Sequence, residues 1–189
     1  MTGVSGQAAG QSPQSVPAPV TWRVEGGGSE FTLILRNAIR RIPGSAVQWN
    51  GTIVVDPADW TSARVDVTIG PAGGDMSGGL YQGNAAGGVA FSPARLPEAT
   101  FRSVRVDRMG DDLSLAGNLT LNGYTKAVVM RGRVTGITAP DGGKRRLTLL
   151  VGTRLNPRDF GYGRTRAEAY ATVSAEDVDV QLSIAAVEQ

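Results

Sequence analysis

Cysteine and histidine are both absent from this 189-residue chain. Without cysteine there is no disulfide, no thiol nucleophile and no thiolate metal ligand. Without histidine the commonest general base, the usual activator of a nucleophilic hydroxyl and the usual zinc ligand are gone as well. Together these absences close most hydrolase and metalloenzyme readings. Long apolar runs are missing too, since nothing approaches the roughly 20 residues of a membrane-spanning helix. Residues 1–19 have neither the basic start nor the continuous apolar stretch of a signal peptide. Charge of one sign is not in excess: 19 Lys+Arg stand against 17 Asp+Glu, so nucleic acid is not an expected partner.

What is present is alternation. Residues 1–19, rich in Gly, Ser, Gln, Ala and Pro, cannot bury enough to offset chain entropy and are expected to form a flexible leader or linker. Residues 20–189 then make one domain, long enough to bury a core without staples. Along it apolar and polar residues trade places with period two. Phe31, Leu33 and Leu35 share one face; Val47, Trp49, Ile53 and Val55 oppose Gln48, Asn50, Thr52 and Asp56. The pattern returns at Val65–Ile69, Val104–Val106, Leu113–Leu121, Val128–Val134, Leu147–Val151 and Val178–Ile184. One face in and one out, about eight times over, predicts an all-β antiparallel barrel or sandwich.

Turn chemistry agrees. Asn122-Gly123 suits a two-residue hairpin turn with positive φ at both positions, and Gly110-Asp111-Asp112 and Pro140–Gly143 are loop signals. Residues 70–98 are too Gly-rich for a strand and too long for a hairpin, so they predict a loop with one helical turn near Asn84–Val89, a candidate lid or ligand mouth. Motifs with chemistry are sparse. Gly26-Gly27-Gly28-Ser29 and Gly142-Gly143-Lys144 lack the Lys-Ser/Thr ending of a phosphate-cradling loop and are expected to be turns. Asp111-Asp112, Asp177 and Asp179 suit solvated charge better than paired catalytic acids. Asn118-Leu119-Thr120 matches the short N-glycosylation pattern. Arg40-Arg41, Lys144-Arg145-Arg146, Arg164 and Arg166 suit exposed loop ends, or an anionic headgroup if they gather at one mouth.

The order of several short pieces resembles the YceI-like, polyisoprenoid-binding family. They are Trp22-Arg23-Val24, Ser29-Glu30-Phe31, GTIVVDP at Gly51–Pro57, ARVDVTI at Ala63–Ile69, LPEATFRS at Leu96–Ser103, LAGNLTLNGYTKAV at Leu115–Val128 and NPRDFG at Asn156–Gly161. Their spacing matches from about residue 20 to 189. The family usually has His-Ser where this chain has Gly28-Ser29, and Asn-Arg where it has Asn156-Pro157. Its loop before the Pro-x-Ala-Thr-Phe stretch is loosened here, keeping Leu80, Tyr81 and Phe91 as bulk.

The resemblance implies a lipocalin-like, eight-stranded antiparallel β-barrel with the Gly-rich loop or short helix closing one end, and an apolar channel for an isoprenoid chain. It implies binding, carriage or storage of an amphiphilic lipid ligand, isoprenoid quinones or their precursors among them. No catalytic residue, no metal and no cofactor beyond a bound isoprenoid lipid is implied. Such proteins are typically bacterial, periplasmic or secreted, and several are homodimers. An eight-stranded barrel is near the size at which the interior either fills or holds one ligand, and periodicity does not separate the two. The resemblance favours the hollow form, with Leu33, Trp49, Ile53, Val67, Phe91, Leu115, Leu119, Met130 and Leu149 as wall and lid contacts. A solid barrel serving as a structural or protein-interaction domain is the alternative.

Overall fold

Period-two alternation becomes strands throughout the computed structural model, which describes residues 18–35, 40–44, 47–71, 98–139, 143–161 and 177–189. The strands are β1 (Val20–Leu35), β2 (Arg40–Gly44), β3 (Val47–Asp56), β4 (Asp59–Pro71), β5 (Ala99–Met109), β6 (Asp112–Leu121), β7 (Tyr124–Thr138), β8 (Arg146–Leu155) and β9 (Val178–Glu188). They form one antiparallel sheet in the order β2-β1-β3-β4-β5-β6-β7-β8-β9, and β1 also pairs with β9. That last pairing closes β1 and β3–β9 into an eight-stranded barrel, as expected. The short β2 lies outside the ring, against the second half of β1. Residues 1–17 of the expected leader and 72–97 of the expected Gly-rich loop, with its helical turn, fall outside the described residues, while Gly70 and Pro71 belong to β4 rather than to the loop.

The turns do what their residues predict. Asn122 has φ 52° and Gly123 φ 76°, the double positive φ of a type I′ hairpin, and they join β6 to β7 with Leu121 opposite Tyr124. Met109 pairs with Asp112 across Gly110-Asp111. Gly117 is required for a different reason: a Cβ there would lie 2.6 Å from the Phe101 ring. Its bare backbone lets Phe101 reach across β6 into the interior.

The Gly26–Ser29 run is a correction to the expected turn. It is a wide bulge inside β1, taking five steps from Glu25 to Glu30 while β9 takes two, from Ala185 to Ser183. Ser29 holds it shut. Its hydroxyl donates to the Glu25 carbonyl at 2.7 Å and accepts from the Ala185 N–H at 3.0 Å, and Ser29 is the buried polar residue among the described ones. Glycine suits the outward excursion because its backbone bends without a Cβ to place.

One end of the barrel is solid. Trp22, Val55, Trp60, Val106, Leu113, Leu147 and Ala186 fill it, and Trp22 and Leu147 are fully buried. Arg145 covers this end, with its guanidinium 5.5 Å from the Trp22 ring centre and two bonds of 2.6 and 2.7 Å to the Glu188 carboxylate. The hydrogen bonds from Arg145 hold the Glu188 carboxyl below the usual carboxylate range. The Trp22 Nε1–H is buried with no acceptor among the described residues, an arrangement that costs about 1–3 kcal/mol.

Ser29→Ala leaves the half-buried Ala185 N–H and Glu25 carbonyl without this partner. It should lower unfolding free energy by about 1–3 kcal/mol in urea titration while the m-value stays unchanged; a midpoint equal to wild type would show that the bulge holds itself.

Candidate functional site

The other half of the barrel is hollow. Beyond the level of Ile53, Leu115, Met130, Leu149 and Ile184 the inward side chains stop meeting and surround a cavity of about 160 Å³. Val67 and Ile69 of β4, Phe101 of β5, Leu119 and Leu121 of β6, Val151 and Leu155 of β8 and Val178, Val180 and Leu182 of β9 continue its wall. The lining is almost wholly apolar. The one hydroxyl among its described lining residues, on Thr153, donates to the Val129 carbonyl at 2.9 Å. Gly70, Ala99, Leu155, Pro157 and Val178 line the end of the cavity away from the tryptophans.

Two devices make this half hollow. The first is side-chain volume: tryptophan occupies the solid end, whereas Val, Leu and Ile dominate here. The second is a separation of strands. β7 pairs with β8 only from Arg131 onward, and beyond the Thr153 hydroxyl on Val129 the stretch Tyr124–Val128 has no ladder partner in β8. The NPRDFG stretch fills the gap as a short 3₁₀ helix, Pro157–Phe160. Asn156 caps it by accepting the Arg158 N–H at 3.0 Å, and Gly161 ends it in the left-handed region at φ 80°. A Cβ at Gly161 would lie 2.5 Å from the Tyr124 ring, and the Asn122 side-chain amide donates to the Phe160 carbonyl at 3.0 Å. Phe160, 2% exposed, is thereby pinned as part of the cavity wall.

Of the residues singled out by sequence, Ile53, Val67, Leu115, Leu119, Met130 and Leu149 all line the cavity. Trp49 does not. It sits on the inward face of β3 and is 8% exposed, but its indole lies against Gly26 and lines a separate pocket between β1 and β3. Leu33 pairs with Ile42 and Val180; its side chain, like all of Phe91, lies outside the described residues. Sequence reasoning missed Phe101, Phe160 and the β9 wall residues as liners. Phe101 and Phe160 stood in quoted motifs, and the β9 alternation was visible, so period and motif together could have found them.

Among the described residues no group of His, Cys, Asp or Glu is arranged to hold a metal ion, and no helix is long and apolar enough to cross a membrane. The acids are outside: Asp66 pairs with Arg102 at 3.0 Å and Asp179 with Arg154 at 2.8 Å. The described lining of the cavity offers apolar surface for burying hydrocarbon.

Comparison with known proteins places this geometry. Residues 22–186 match the model of the YceI-like domain. A curated relative, Protein YceI of Escherichia coli, is 27% identical over 146 residues, covering 77% of this chain and 74% of its own. The crystal structure of BcnA from Burkholderia cenocepacia superposes with a TM-score of 0.62 at 20% identity, over 86% of this chain and 98% of that one. A domain from Saccharophagus degradans, described as a polyisoprenoid binding domain implicated in plant cell wall breakdown, gives a TM-score of 0.50 at 12% identity, over 89% and 98% of the two chains.

Phe160→Ala removes a buried ring from the β7–β8 gap. It should cost about 3–5 kcal/mol of unfolding free energy in urea titration, and a loss below 1 kcal/mol would mean that the short helix is not part of the wall.

Proposed function

The chain belongs to the YceI-like domain family, and from that premise we propose that it encloses an amphiphilic isoprenoid-type lipid, such as a polyisoprenoid or an isoprenoid quinone, for carriage or storage. The observation that carries this reading is a barrel solid at one end and, in its other half, lined by apolar side chains around a cavity. The printed description of the Saccharophagus degradans neighbour as a polyisoprenoid binding domain supports the same ligand class. Ile53, Val67, Leu115, Leu119, Met130 and Leu149 act as wall contacts by shape and burial alone. No catalytic step is part of the proposal, and a periplasmic or secreted location is its natural setting.

Magnitudes bound the ligand. An apolar cavity of about 150 Å³ takes up a molecule the size of benzene, so the space here holds a short run of hydrocarbon, and a longer chain continues beyond it. Each buried CH₂ contributes about 0.8 kcal/mol, against an association cost of at least about 4 kcal/mol. A run of about five carbons therefore only breaks even, and binding requires a longer chain. The solid-barrel alternative is not favoured, because the described residues of the hollow half do not fill it.

Native mass spectrometry of the protein from its own source, followed by organic extraction, should find a stoichiometric isoprenoid-like species. Leu119→Arg should fold normally by circular dichroism and lose it. A wild-type protein that is apo and remains so after incubation with isoprenoid quinones would overturn the reading.

A further inference from the structure

The cavity wall carries one atom that differs in chemistry from the rest. Its described lining is aliphatic or phenyl, apart from glycine, proline, the Thr153 hydroxyl and the thioether of Met130. The chain has no cysteine and no histidine, and neither tryptophan nor tyrosine belongs to that lining. The Met130 sulfur is therefore the one group among the described lining residues that a peroxide oxidises readily.

Placement gives this sulfur an apolar setting. Met130 pairs with Leu115 on β6, at the level where the hollow half begins, and both line the cavity. On its other side the ladder to β8 starts only at Arg131. Met130 is 6% exposed, whereas Met109 at the end of β5 is 76% exposed. One molecule thus holds two thioethers in two solvents, water at Met109 and hydrocarbon at Met130. An oxidant's preference between them follows its own partition between water and the cavity.

We propose that Met130 makes the cavity a reaction site for organic hydroperoxides. The hydrocarbon part of such a molecule enters by the burial that holds any short apolar group, and this brings its O–O bond to the sulfur. A sulfur lone pair takes the distal oxygen, the O–O bond breaks, and the hydroperoxide proton ends on the oxygen left behind. The products are an alcohol and methionine sulfoxide, so the peroxide is reduced by two electrons and the thioether is oxidised by two. The Thr153 hydroxyl already donates to the Val129 carbonyl, and the sulfoxide oxygen replaces apolar lining with a polar group. Each chain therefore consumes one peroxide at this site. The reaction uses the cavity and does not depend on which lipid the cavity carries.

Cumene hydroperoxide places a benzene-sized ring beside its O–O bond, which suits a cavity of about 160 Å³. Oxidation of Met109 and Met130 in the full chain is followed by peptide mass spectrometry. Under hydrogen peroxide Met130 should oxidise at about a tenth of the Met109 rate or less, as exposure dictates. Under cumene hydroperoxide the Met130-to-Met109 rate ratio should rise at least about tenfold, and excess cumene should reverse that rise without changing Met109. Met130→Leu, which conserves volume and apolar character, should consume one equivalent of cumene hydroperoxide less than wild type. The same ratio under both peroxides, a ratio that cumene does not lower, or equal consumption by the variant overturns Met130 as a reaction site. Calorimetry with cumene alone separates the failures: cumene bound with an unchanged ratio leaves the cavity reading standing, and cumene not bound overturns the cavity and the reaction together.

Discussion

A sheet of eight strands becomes a barrel only where its first strand can pair with its last, and everything else here depends on how β1 achieves that. β1 lies against β9 along both of its halves but cannot keep β3 beside it throughout, because the two diverge after Arg23. The Gly26–Ser29 bulge absorbs the mismatch, and the Ser29 hydroxyl restores hydrogen bonds that the bulge removes from the ladder. One serine therefore helps to hold closure, and the same excursion leaves the pocket beside Trp49. Closure in turn abolishes most sheet edges, which an open sheet of this size would have to protect by other means.

Once the ring is closed, side-chain volume decides what the interior is. Eight strands leave room that side chains can just fill, and Trp22 and Trp60 fill it at one end. Toward the other end the inward positions carry Val, Leu and Ile, and Gly117 withdraws so that Phe101 can lie along the wall. The strands β7 and β8 part at the same level, and Phe160 seals the gap from the side without filling the centre. The solid end supplies stability and the hollow end supplies the site, a division in which neither half has to compromise the other.

Much of this was legible in the sequence. Leu119 and Leu121 alternate with polar neighbours and do face the interior, and Asn122-Gly123 does make the expected turn, because period and turn chemistry are local properties. The features that resisted are set by distant chain. β2, Arg-Arg-Ile-Pro-Gly, lacks alternation and exists because the upper half of β1 has an edge to cover. Gly26–Gly28 looks like a turn by composition and becomes a bulge because β9 continues past it. Trp49 shares the inward face of Ile53, yet it lines the pocket between β1 and β3, since β1 is no longer paired with β3 beside it. NPRDFG was recognisable as a motif, but its task of filling the β7–β8 gap follows only from where those strands separate.

The central claim is that the barrel is dry and hollow in one half and solid in the other. Crystals of the protein exposed to xenon under pressure test it directly, because xenon enters apolar voids and is seen by its scattering. The account predicts xenon between Phe101, Leu119, Val151 and Leu182, and none around Trp22, Trp60 and Leu113. Xenon absent from the first group, or bound among the second, would contradict it.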